Sequence, residues 1–166
     1  NIPFTILQPA AYMQNVLGYW SKMMTNGVYA IPYSVDSRSS MMDLSDLAEV
    51  IYKVISQAGH LHATYELCNP DPLSARQVAE IISLKTGRDI QAVSQERSEW
   101  AENMRTRKMP EYARETLLKM FAYYENFDFV GNGNQLTWLL ERKPTTFEQF
   151  IEQYLNNYPQ ENSIYG

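Results

Sequence analysis

The sequence predicts an α/β fold, with a few parallel strands in its first part and a mostly helical second part. Three observations carry that prediction. Apolar runs of strand length alternate with segments of helical period up to residue 94. From Arg97 onward only helical periods occur. Two sites read as capping boxes, in which a side chain and a helix-start N–H exchange hydrogen bonds in both directions.

Residues 4–9, Phe-Thr-Ile-Leu-Gln-Pro, read as a buried strand opening into Ala10, Ala11 and Tyr12. Met13, Val16, Leu17, Trp20 and Met24 follow at helical spacing and form one apolar stripe, which Gly27 ends. A short strand is expected over Val28–Ile31, then a polar loop over 34–40. Asp43 or Ser45 caps a helix that buries Leu44, Leu47, Ala48, Ile51 and Ile55 and stops near Gly59. Residues 64–68 alternate as a strand with Tyr65 and Leu67 on one side, and Asn69-Pro70-Asp71-Pro72 forces a turn.

Ser74 and Gln77 form a capping box for a helix burying Val78, Ile81 and Ile82, with Gly87 as its left-handed stop. Residues 90–93 read as the next strand, and strand–helix–strand order implies a parallel sheet. Further on, Trp100 and Met104 mark one helix and Ala113, Leu117, Met120, Phe121 and Tyr124 another. After Pro144, Thr145 and Glu148 read as the capping box of a closing helix that buries Phe147, Phe150, Ile151, Tyr154 and Leu155. Residues 128–134 read as a flexible connection; Gly131-Asn132-Gly133 follows no strand and lacks the Lys and Ser/Thr of a phosphate loop, so it is a turn. The chain 1–166 is expected to form a single compact unit, with a sheet and its helices over 1–94 and a helical cap with the closing helix over 95–166.

Composition bounds the function. With 45% hydrophobic and 20% charged residues, the chain can bury one sizeable core. A net charge of -5 argues against a phosphate-backbone binder, so no nucleic-acid partner is expected. No apolar run reaches the roughly 20 residues that cross a bilayer, and no secretory leader pattern opens the chain, so no membrane partner and a cytoplasmic location are expected. Cys68 has no second cysteine to pair with and reads as a small buried hydrophobe, a redox thiol being the minor reading. His60 and His62 lack further ligands at metal-site spacing and read as surface imidazoles, so no metal is expected. Asp43 and Asp46 are explained as helix-start carboxylates at the positive end of the dipole rather than an acid/base pair. Arg105, Arg107 and Lys108 read as a solvated helix end. Tyr33, Asp36 and Arg38 form either a substrate rim or a solvated loop.

Several pieces, in order and across nearly the whole chain, then resemble one family. They are Phe4-Thr5-Ile6-Leu7-Gln8-Pro9 with Tyr12 and Asn15; Asp43-Leu44-Ser45-Asp46-Leu47-Ala48; Tyr65-Glu66-Leu67 leading to Pro72-Leu73-Ser74; Thr86-Gly87-Arg88; and Arg142-Lys143-Pro144-Thr145-Thr146-Phe147-Glu148-Gln149-Phe150. Together they resemble the C-terminal half of the NmrA-like branch of the atypical short-chain dehydrogenases/reductases. The resemblance implies the C-terminal part of a Rossmann-like fold: the last parallel strands and a helical substrate-binding cap. It also implies a cofactor, NAD(P), with NADP favoured over NAD, whose nicotinamide end is bordered by Gln8, Pro9, Ala10, Tyr12 and Asn15. Tyr12 is equally well read as the first core residue of its helix. Many relatives carry Arg where this chain has Gln8, which removes a fixed charge from that turn.

The glycine-rich pyrophosphate turn is absent from these residues, so the chain by itself is expected to bind dinucleotide poorly. No Tyr-x-x-x-Lys pair is present, Tyr19 and Lys22 being only three apart, and no catalytic residue is assigned. Two functions follow from the resemblance. One is the substrate-binding portion of an NAD(P)-dependent oxidoreductase acting on a small carbonyl, quinone or similar acceptor. The other is a non-catalytic redox sensor that passes the cofactor's state to a protein partner. A stand-alone structural domain is the third reading, should Asn1 lie close to a natural start. An open apolar edge at the first strand predicts a homodimer or retention of the missing N-terminal Rossmann half.

Overall fold

Local sequence decides where each element starts and stops, and the computed structural model describes residues 2–159. In chain order the elements are β1 (Ile6–Pro9), a 3-10 helix (Met13–Tyr19), α1 (Trp20–Asn26), β2 (Val28–Ile31), β3 (Arg38–Ser39), α2 (Leu44–Ser56), β4 (Thr64–Leu67), β5 (Leu73–Ser74), α3 (Ala75–Thr86), β6 (Gln91–Ser94), α4 (Arg97–Thr106), α5 (Glu111–Phe127), α6 (Asn134–Leu140) and α7 (Phe147–Asn157). They gather into two units, each drawn from separated stretches. Unit 1 comprises Asn1–Gly18, Ser40–Leu73 and Val130–Gly166; unit 2 comprises Tyr19–Ser39 and Ser74–Phe129.

Unit 1 is built on a parallel pair, β1 with β4, in the register Ile6↔Thr64 to Pro9↔Leu67. Met42, Val50, Leu67, Leu136 and Leu140 form its core, with Leu7, Tyr12, Leu47, Val54 and Tyr65 packed against it. The α7 helix buries Phe147, Phe150 and Ile151, each contributing about 2 kcal/mol through apolar area removed from water. Unit 2 is built on a second parallel pair, β2 with β6, in the register Val28↔Gln91 to Ile31↔Ser94. The α3 helix packs on both of these strands and α4 packs on α5. The expected parallel order is therefore present, among the described residues, as the separate parallel pairs β1–β4 and β2–β6 rather than one sheet, and β3 and β5 form a third two-stranded pairing.

Five expectations need correction. The first strand begins at Ile6, and it is half-exposed instead of buried, because among the described residues it pairs along one edge only. The stripe after Pro9 starts as a 3-10 helix, in which Met13 and Val16 eclipse at a spacing of three, before α1 takes over. The α2 helix buries Asp46 and Val50, which leaves Leu44, Ile51 and Ile55 exposed; tertiary bonds to Asp46 set its rotation against the apolar stripe. The closing helix is capped one residue later than expected, by Thr146 with Gln149. The presumed connection leads directly into α6, whose Leu136 and Leu140 enter the core. Other local readings hold: the Ser74/Gln77 capping box, Val28–Ile31 as a strand, Gly27 as the end of its run, and Gly87 as a left-handed stop. A Cβ on Gly27 would also lie 2.6 Å from the Asp89 carbonyl oxygen.

Candidate functional site

Parallel pairing brings the carboxyl ends of β1 and β4 to the same side, and the chain leaving β1 is stitched down there by its backbone. Ala10 N donates to Leu67 O (2.9 Å), Met42 N to Ala11 O (2.9 Å) and Met13 N to Met42 O (2.9 Å). The small side chains of Ala10 and Ala11 permit this close weave. The outcome is a ledge at a strand carboxyl end, where ligands of open α/β sheets bind. Gln8 and Asn15 are exposed on it, and Pro9, Ala10 and Tyr12 are half-buried. Tyr12 packs against the Met42–Leu67 core. Among the described residues neither the Gln8 nor the Asn15 side-chain amide has a hydrogen-bond partner.

The N-terminus of α2 adjoins the ledge and is already satisfied. Asp43 Oδ1 accepts from Ser45 N (2.5 Å) and Ser45 Oγ (2.6 Å), and Gln14 Oε1 accepts from Leu44 N (3.3 Å). One turn on, the fully buried Asp46 carboxylate accepts from Arg142 Nη2 (2.8 Å), Thr145 N (2.7 Å) and Thr145 Oγ1 (3.0 Å). Arg142 also donates to Glu49 (2.6 Å), holding that carboxyl below its ordinary range. Asp43 is thus the cap, and Asp46, in the first turn of α2 as read, is also a tertiary anchor. Sequence reading could not see the anchor, since its partners lie more than ninety positions away. An open groove of about 530 Å3 beside this knot is lined by Arg142, Lys143, Gln149 and Gln153.

Cys68 is buried, and burial, then Glu66, pushes its thiol above the ordinary range. That environment disfavours thiolate chemistry. His60 Nδ1 meets the Tyr65 hydroxyl at 2.8 Å, and the His62 ring lies edge-on to Phe4. Among the described residues no group of three or more His, Cys, Asp or Glu is arranged to hold a metal ion, and no helix is long and apolar enough to cross a membrane.

In unit 2 the charges of the 34–40 segment are committed to partners. Asp36 pairs with Arg76 (3.0 Å), and Arg38 donates from N (2.9 Å) and Nε (3.1 Å) to Asp128. Tyr33 stacks on Phe121. Tyr19 lies edge-on to Tyr29 at 5.3 Å while Lys22 is exposed. Burial raises the Tyr19 phenol, with Arg107 opposing, so it is not an activated acid/base.

Two parallel strand pairs with helices around them define an α/β protein, a fold that known structures share. A quinone oxidoreductase from Escherichia coli, described as NADPH-dependent, superposes with a TM-score of 0.82 at 20% identity, over 94% of this chain and 56% of that one. A triphenylmethane reductase from Citrobacter sp., solved with NADP(H), gives 0.76 at 20% identity over 92% and 53%. In sequence, the NAD(P)H azoreductase of Xenophilus azovorans is 24% identical over 154 residues, which is 93% of this chain and 54% of that protein. The family model of the NmrA-like family matches residues 1–151, and the chain belongs to that family. It spans about half the length of the curated relatives it matches.

Proposed function

We propose that this chain is the C-terminal, substrate-binding portion of an NAD(P)-dependent oxidoreductase that reduces a small carbonyl, quinone or similar acceptor. The observation that carries this reading is the ledge after β1. Its backbone is fixed by three 2.9 Å hydrogen bonds, its side chains are small, and the amides of Gln8 and Asn15 have no partner among the described residues. Exposed amides beside a close-approach backbone fit a nicotinamide carboxamide, which both donates and accepts. Gln8, Pro9, Ala10, Tyr12 and Asn15 therefore border the nicotinamide end, with Tyr12 supplying an apolar wall anchored in the core. The bound dinucleotide would supply the hydride; these residues orient its ring and exclude water. Residues outside this chain, in the N-terminal Rossmann half of the complete protein, hold the pyrophosphate. NADPH is favoured over NADH, in keeping with the cofactors named for the Escherichia coli and Citrobacter proteins. We place the reaction in the cytoplasm.

The test is a titration of the complete protein with NADPH and NADH, followed by NADPH oxidation with a quinone acceptor. Gln8→Ala and Asn15→Ala each weaken NADPH binding about fivefold, the worth of one hydrogen bond. Absence of binding to the complete protein overturns the reading. The sensor reading draws support from the raised tyrosine phenols and the lack of a Tyr-x-x-x-Lys pair; steady turnover by the complete protein would sink it.

A further inference from the structure

Three phenols of unit 2 converge without bonding to one another. Tyr29 stands on β2, and Tyr19 lies edge-on to it, with ring centroids 5.3 Å apart at 82°. Tyr33 follows two residues beyond the end of β2. Tyr29 senses Tyr33 and Tyr19, and Tyr33 senses Tyr19, so the three lie within electrostatic reach of each other. Among the described residues none of their hydroxyls has a hydrogen-bond partner. Tyr29 is only 6% exposed, a depth at which a hydroxyl is ordinarily bonded. Its oxygen nonetheless keeps contact with solvent, so a ligand atom can reach it. Burial, the largest cause at each, raises all three phenols, and at neutral pH they keep their protons. Three donors are left without an acceptor.

The neighbouring charge has the matching sign. Arg107 closes α4 and is the cation that Tyr19 feels. Arg97 and Arg105 are committed to Glu125 and Glu102, whereas the Arg107 guanidinium has no carboxylate partner among the described residues. One cation among neutral donors suits a monoanion that only accepts, as a carboxylate does; a phosphate dianion would leave charge unmatched. Beyond Tyr33 the rings continue. It stacks on Phe121 at 5.7 Å, and Phe121 takes the edge of Trp100 at 4.9 Å. Such a wall suits a flat apolar body.

We propose that Tyr19, Tyr29, Tyr33 and Arg107 bind the carboxylate of a small aromatic acid. The phenols donate to its oxygens and Arg107 balances its charge. The site goes beyond the oxidoreductase reading and does not rest on it; NADPH binding decides that reading separately. The probe is benzoate, titrated by calorimetry into the complete protein without dinucleotide. Benzamide, which has nearly the same shape and no charge, binds at least tenfold more weakly. Tyr29→Phe keeps the ring and weakens benzoate about tenfold, the worth of a hydrogen bond to a charged group. The same variant melts at a higher temperature than the unliganded parent, because it deletes a deep hydroxyl that no protein group bonds. Arg107→Gln, at an exposed helix end, also weakens benzoate about tenfold. Absence of benzoate binding, equal binding of benzamide, or unchanged benzoate affinity in both variants overturns the proposal.

Discussion

The two units solve one construction problem with different materials. Each is founded on a pair of four-residue parallel strands, β1–β4 and β2–β6, and each must hold helices against so small a base. Unit 1 does it with a polar knot, in which the buried Asp46 carboxylate gathers Arg142 and Thr145 beside an aliphatic core. Unit 2 does it with stacked rings, Tyr33, Phe121, Trp100 and Tyr124. The difference teaches that a minimal parallel pair is indifferent to the chemistry of its cover, provided each buried polar atom is bonded or each void is filled.

The largest effect is expected at the knot. Asp46→Ala strands the half-buried Thr145 N–H and releases Arg142, costing about 3 kcal/mol in urea unfolding. A loss below a third of that would mean the knot is ornamental and the aliphatic core alone holds unit 1. Next comes the turn between α1 and β2. Gly27→Ala forces a side chain into φ 65° and against the Asp89 carbonyl, costing about 2 kcal/mol, whereas Gly87→Ala, at φ 69° in open space, costs about 1 kcal/mol. Equal losses at both glycines would leave strain as the sole cause and dismiss the contact.

The smallest effect at neutral pH separates the units by titration. Burial, joined by neighbouring phenols, raises Tyr29 and Tyr33 above the usual tyrosine range. A phenol whose folded pKa is raised contributes stability that is complete below the unfolded value, about pH 10, and is lost as pH rises through the folded one. Tyrosinate absorbance in an alkaline titration should therefore lag for these two and appear together with loss of circular dichroism. A single ordinary curve for all twelve tyrosines would break the contrast.

What the sequence made legible was local. The Ser74/Gln77 box, Gly27, Gly87 and Val28–Ile31 are each decided within a few residues, and each is found where it was read. The misreadings are tertiary. The rotation of α2 is set by bonds from Asp46 to Arg142 and Thr145, so the apolar stripe Leu44–Ile51–Ile55 lost to a carboxylate that had to be buried with its partners. Thr145 reads as a cap, yet its N–H and hydroxyl serve Asp46 and the neighbouring Thr146 caps instead. The seven residues of α6 are too few to announce a helical period against two nearby glycines. Of the candidate site, the strand end could be read, while the backbone weave from Ala10 to Met13 through Met42 could not, because it joins stretches some thirty positions apart.

The interleaving of the units fixes an order in time. Unit 2 is complete once Phe129 has been synthesised, whereas the last stretch of unit 1 begins only at Val130. On the ribosome, Asp46 must wait for Arg142, 96 positions later, which at 5–20 residues per second is about 5–20 s. During that interval the nascent chain carries a ring-packed unit able to fold and an acidic helix still without its clasp, so the half of the molecule bearing the candidate cofactor ledge is the last to mature.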